Sequence, residues 1–136
     1  MSLYDPFSRM NLNENEHFIV VNCLIHMLDE KSIHIDDFER FIMNDGIAGD
    51  IDWGIEKWNI YSEQDHGIKD RFDGYLFFIG ADEHGDIRKG ELQIILTIEE
   101  IKPYIEDIVG WYKNIPNSNV DAFVKIAQKN GFYDQF

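Results

Sequence analysis

Two runs of strand-forming residues, close together and separated by turn composition, constrain this chain most. Tyr75-Leu-Phe-Phe-Ile is continuous and apolar, while Leu92, Ile94, Leu96 and Ile98 alternate with Glu91, Gln93, Ile95 and Thr97. Ala81-Asp-Glu-His-Gly-Asp between them reads as a loop, so the pair predicts an antiparallel hairpin with a fairly long connection. The polar or mixed second face of the alternating strand predicts a sheet covered on one side.

Helical periodicity flanks the hairpin. Asn13 is positioned as a cap, with Glu14 and Glu16 at the positive end. Phe18, Val21, Leu24, Ile25 and Leu28 then recur at helical spacing to about Lys31. A second helix fits Ile35 to Met43, with Asn44-Asp45-Gly46 as its stop. Downstream, Thr97 and Glu100 have capping-box spacing. Ile101, Tyr104, Ile105, Ile108, Val109 and Tyr112 continue as an apolar stripe. Pro103 implies either a short turn before the main helix or a start near Lys102 with the proline at the first position. A last helix is predicted over Val120–Lys129, with Ala122, Phe123 and Ile126 inward and Gly131 at its end. The opening dozen residues read as an irregular arm. Residues 47–71 fit two readings: Ile51, Ile55 and Trp58 share one helical face, while Ile51, Trp53 and Ile55 alternate and Trp58 and Ile60 continue in the opposite phase, which favours a strand with a bulge or bend near Lys57. The sum is one α+β domain, a small antiparallel sheet packed against about four helices.

Charge bears on function. The chain has 26 acidic residues against 12 Lys and Arg, a formal −14 in 136 residues. Residues 29–86 hold 16 of those acids and only Lys31, Arg40, Lys57, Lys69 and Arg71, so that stretch alone carries −11. Such a field repels nucleic acid and anionic membranes and speeds the capture of basic partners. Aromatic residues make up 14% of the chain, which argues against disorder and for a real core. Cys23 is the single cysteine and lies in an apolar run, as a buried thiol in a reducing compartment would. No signal-peptide pattern or membrane-length apolar run is present, so a soluble, cytoplasmic protein is expected.

Chemistry-bearing patterns are weak. His17 and His26 are nine residues apart, too far to chelate one ion together, and Cys23 with His26 makes a poor zinc pair. His34, His66 and His84 stand among acids. An Asp50 start fails the calcium-loop pattern, because Gly54 falls at the fifth position and no acid at the twelfth. With 26 acids, some carboxylate pair must reach catalytic spacing by chance. Nucleophile-elbow, phosphate-loop and dinucleotide motifs are absent. The expectation is therefore a binding protein with no catalytic residues, no metal and no cofactor. Its recognition segment would be the acid-and-aromatic stretch: Asp45, Asp50, Asp52, Glu63, Asp65, Asp70 and Asp73 for charge, Trp53 and Trp58 as an aromatic anchor.

Gly74-Tyr-Leu-Phe-Phe-Ile, Leu92-Gln-Ile-Ile-Leu-Thr-Ile-Glu-Glu-Ile and the closing Tyr104…Tyr112…Pro116 resemble small immunity proteins of contact-dependent growth inhibition and related polymorphic-toxin systems, in particular those that neutralise ribonuclease toxins. The resemblance covers residues 70–130. It implies a cytoplasmic inhibitor that binds a basic toxin domain and blocks it without doing chemistry. An acidic adaptor for basic peptides and a carboxylate-pair hydrolase are the rival readings.

Overall fold

The computed structural model describes residues 4–43, 48–49 and 52–134, with only the backbone described at 41–43 and 48–49. It is the expected α+β domain. Four helices have nine residues or more: α1 (Asn15–Leu24), α2 (Ile35–Met43), α5 (Ile98–Tyr112) and α6 (Val120–Lys129). Two short ones, α3 (Ser62–His66) and α4 (Ala81–His84), interrupt the strand connections. The strands β1 (Ala48–Gly49), β2 (Trp53–Glu56), β3 (Tyr75–Ile79) and β4 (Leu92–Leu96) form an antiparallel sheet in sequence order. Among the described residues no helix is long and apolar enough to cross a membrane.

Register fixes which side chains share a face. Trp53, Ile79 and Leu92 form one cross-strand row, and Ile55, Phe77 and Ile94 the next. Together with Tyr75 and Leu96 they point to the main core, where α1 lies across the sheet and α5 and α6 close the far side. Cys23 is fully buried on α1, and its thiol donates towards the carbonyls of Phe78 (3.3 Å) and Gly54 (3.5 Å).

The second face departs from the expectation of a sheet covered on one side. Leu76 and Phe78 point away from the main core, yet both are buried. Over Phe78 lies His66 of α3, in the β2–β3 connection, with ring centroids 4.2 Å apart. A central strand covered on both faces reads as a continuous apolar run, as Tyr75–Ile79 does.

Several local expectations are corrected. The opening arm is not irregular: Asp5–Phe7 makes a 3-10 turn, and Phe7, 1% exposed, packs on Tyr104 with ring centroids 6.4 Å apart. Asn13 does not cap α1. Its N–H is drawn to Asn11 Oδ1 (3.0 Å), and the helix starts after Glu14. Nor does that helix reach Lys31. It tightens into a 3-10 turn at Ile25–Met27, and the local bonds of Asp29 and Ser32 then make a turn that pairs Leu28 with Ile33. Pro103 sits inside α5, neither preceded by a separate turn nor at the first position. The Thr97–Glu100 capping box fixes the start upstream, and the buried stripe continues through the proline, outweighing the one lost bond. On α6 the inward face is turned by a residue: Phe123 and Ala127 are buried, Ile126 is half-buried and Ala122 is exposed. Phe123 meets Phe38 of α2 edge-on at 5.0 Å. The strand expected to continue past a bulge or bend near Lys57 ends at Glu56 instead: Trp58 and Ile60 lie in the irregular stretch and turn that follow, and α3, which carries no apolar periodicity, comes next. The proposed stop of α2 at Asn44-Asp45-Gly46, and Ile51, lie outside the described residues.

Candidate functional site

Residues 57–74 leave the sheet at Glu56, turn, and return to it at Tyr75. The turn is built from side chains. Asn59 Oδ1 accepts the Tyr61 N–H (2.9 Å), and the buried Ser62 Oγ accepts the Asn59 N–H (3.1 Å). Ser62 also accepts the Ile68 N–H through its carbonyl (3.2 Å), joining the start of α3 to the chain beyond it. Held by this knot, Ile60 and Tyr61 project outward, 84% and 57% exposed. Large apolar side chains presented on a fixed backbone lose little entropy on meeting a partner.

α3 is fastened to the sheet by His66. Its imidazole lies 4.2 Å from the Phe78 ring, with Nε2 3.0 Å from Glu56 Oε1 and Nδ1 2.9 Å from Glu91 Oε2. Gln93 Nε2 donates to the His66 carbonyl at 2.9 Å. Burial pushes the Glu56 carboxyl above its usual range, and the neighbouring His66 partly offsets this. The histidine thus serves as a structural clip. This leaves the four acids of the segment facing water: Glu63 and Asp65 on α3, Asp70 and Asp73 on the return, all exposed. None of them takes part in an ion pair among the described residues.

Comparison with protein families, with curated proteins and with solved structures gives no match in any of the three. Functional reading therefore rests on this surface itself.

Of the sequence-predicted residues, Glu63, Asp65, Asp70 and Asp73 are brought into one segment, joined by Trp58 at its start. Trp58 is half-buried and meets Phe72 edge-on at 5.9 Å. Trp53 is elsewhere. It lies on the main-core face of β2 and stacks flat on His26, 4.1 Å between centroids and 5° between planes. His26 in turn reaches Glu83 at 2.7 Å. The two tryptophans therefore have different partners and do not form a common anchor. Asp52 is half-buried at the Trp53 end of the strand, where its carbonyl accepts the Gly80 N–H (2.6 Å). Asp45 and Asp50 lie outside the described residues.

Ile60 is the residue the sequence reading missed as a contact candidate, because its spacing from Trp58 suits a strand. The available signal was Asn59 and Ser62 on either side of it, both turn formers that bond locally.

The remaining histidines are absorbed by packing. His17 Nδ1 lies 2.8 Å from the Tyr104 hydroxyl, His34 Nε2 3.2 Å from Asp29, and His84 bonds the backbone of Asp86 and Gly90. Among the described residues no three His, Cys, Asp or Glu side chains converge as metal ligands. The carboxyls raised by burial, Glu56 and Asp107, line neither of the two described clefts, at residues 32–37 with Tyr112 and Asn119 and at residues 57–58 with 71–75.

Proposed function

We propose that this chain is an immunity protein: a cytoplasmic, non-enzymatic inhibitor that binds and neutralises a basic toxin domain, of nuclease type, delivered by a neighbouring bacterial cell. The observation that carries the reading is the Ile60–Tyr61 tip, held by the local bonds of Asn59 and Ser62 and flanked by the exposed Glu63, Asp65, Asp70 and Asp73, none of which forms an ion pair among the described residues. A tight interface needs a few desolvated apolar or aromatic anchors, and a fast one needs a complementary field. Both features lie here on one segment. A nuclease is basic because it must hold phosphates, so an acidic surface docks on or beside its substrate groove. The resemblance of residues 70–130 to immunity proteins of contact-dependent growth inhibition points the same way.

The test is co-expression with the C-terminal domain of the large secreted protein encoded immediately upstream, scored by co-purification and by rescue of growth. Rescue with a stable complex, lost when Asp70 and Asp73 are both replaced by Lys, is the expected result. Rescue untouched by that double replacement would remove this surface from the interface. Absence of a complex, with micromolar binding to many unrelated basic peptides, would favour an acidic adaptor instead.

A further inference from the structure

At the point where residues 57–74 rejoin the sheet there is a cleft of about 240 Å³ whose character is opposite to that of the molecule. Lys57 and Arg71 both line it, and neither forms an ion pair among the described residues. Lys57 Nζ sits 5.5 Å from the Tyr75 ring centroid, so its ammonium is held against an aromatic face at the cleft wall. Trp58 and Phe72 meet at 85° and make an aromatic corner of the same cleft. Asp73 is the single carboxylate lining it. Two cations against one acid give a local charge of +1 within a protein of −14.

We infer that this cleft is a binding site for an aromatic monocarboxylate. The aromatic corner takes a planar ring by offset stacking, and the Arg71 guanidinium and Lys57 ammonium take the carboxylate. A cation is disfavoured by the local sign. A dianion such as a phosphate monoester is disfavoured because it would overcompensate a local charge of only +1. The small volume limits the occupant to about one ring and its acid group, below the range of drug-sized sites. Binding of a small carboxylate here does not depend on a toxin partner.

The probe is phenylacetate, titrated into the full chain and followed by heteronuclear NMR of the Trp58 indole and the Gly74 amide. Phenylacetamide supplies the same shape without charge, acetate the charge without the ring, and phenethylamine the opposite sign. Saturable phenylacetate binding is expected, with phenylacetamide roughly tenfold weaker and acetate and phenethylamine silent. Arg71→Gln and Lys57→Gln, both exposed positions that leave the fold intact, are each expected to weaken phenylacetate binding several-fold, and Arg71→Lys less so. Equal binding of phenylacetamide would reduce the cleft to an apolar notch and overturn the inference. So would tighter binding of phenethylamine, no saturable shift, or glutamine variants that bind as well as the parent.

Discussion

His66 stands over Phe78, ring centroids 4.2 Å apart, and through this contact the acidic segment is fastened to the sheet. The imidazole's side chain is only 7% exposed and has a glutamate at each ring nitrogen, Glu56 from β2 and Glu91 from the chain just before β4. The pair of carboxylates flanks one cation-capable group, so its removal sets two acids against each other across a half-buried gap.

His66→Ala is therefore expected to destabilise the fold by about 2–3 kcal/mol, combining the lost ring contact with a half-buried glutamate left without its partner. For a domain of this size that is a fall of roughly 10 °C in the melting midpoint. Thermal and urea unfolding measure it. Hydrogen exchange adds the location, because protection should fall first in residues 57–74 if His66 is the clip. A change below about 0.5 kcal/mol would place the fastening elsewhere.

Gly74 closes the same segment at its other end. Its φ is +92°, and a Cβ added there would collide with the Leu96 carbonyl oxygen on the neighbouring strand. Gly74→Ala combines a left-handed backbone with a clash against main chain that cannot rotate away. The expected loss is at least about 3 kcal/mol, read as low soluble yield or early urea unfolding. Gly85→Ala is the control: its φ is +83° but no atom lies within 4 Å of the added Cβ, so only about 1 kcal/mol is at stake.

What could be read beforehand followed from local physics. The hairpin of β3 and β4, the bounds of α2 and α6, and the Thr97 capping box all rest on short-range pattern. Cys23 in an apolar helix was legible for the same reason. The losses came where tertiary structure overrides local preference. Pro103 inside α5 is tolerated because a cap upstream and a buried stripe on both sides hold the helix. Phe7 belongs to the core only because α5 is there to receive it. α3 has no apolar stripe at all, and what places it is His66 finding Phe78, Glu56 and Glu91, residues from three separate stretches of chain. Four of the seven proposed acids could be grouped from sequence proximity alone. The separation of Trp53 from Trp58 could not, because it depends on the strand ending between them.

Cys23 offers a pH prediction. Burial pushes its thiol from 9.0 up to about 12. The folded state thus holds a proton that the unfolded state releases. Stability is unaffected by this group below pH 9 and declines as pH rises from 9 towards 12, by about 1.4 kcal/mol per pH unit. Other groups titrate in that range, so the difference between the parent and Cys23→Ala isolates the effect: the variant starts less stable and loses less as pH rises. At pH 8 the thiol should resist alkylation in the native protein and react fully in denaturant.

Thr97→Ala removes the side-chain half of a reciprocal cap, in which Thr97 Oγ1 accepts the Glu100 N–H, and leaves the other half, in which Glu100 Oε1 accepts the N–H of residue 97. A cost of about 1 kcal/mol is expected. Glu100→Gln keeps the geometry and should cost less. Equal effects of the two would assign the stabilisation to the charge of Glu100 near the helix start.

The proposed interface divides into parts that kinetics can separate. Exposed acids act at long range, so reversing Asp70 and Asp73 to Lys should slow association with the basic partner by about tenfold at low salt and flatten its dependence on ionic strength. The Ile60–Tyr61 tip acts only at contact. Ile60→Ala with Tyr61→Ala should leave association nearly unchanged and speed dissociation by roughly 30-fold or more, as loss of two anchors does. Neither set touches the core, so melting midpoints should stay within about 2 °C of the parent. Stopped-flow association and surface-immobilised dissociation provide the two rates. If the acids alter dissociation as strongly as the apolar pair, the charges are buried in the interface and pair directly with partner side chains, and the docked orientation must bring residues 63–73 to its centre.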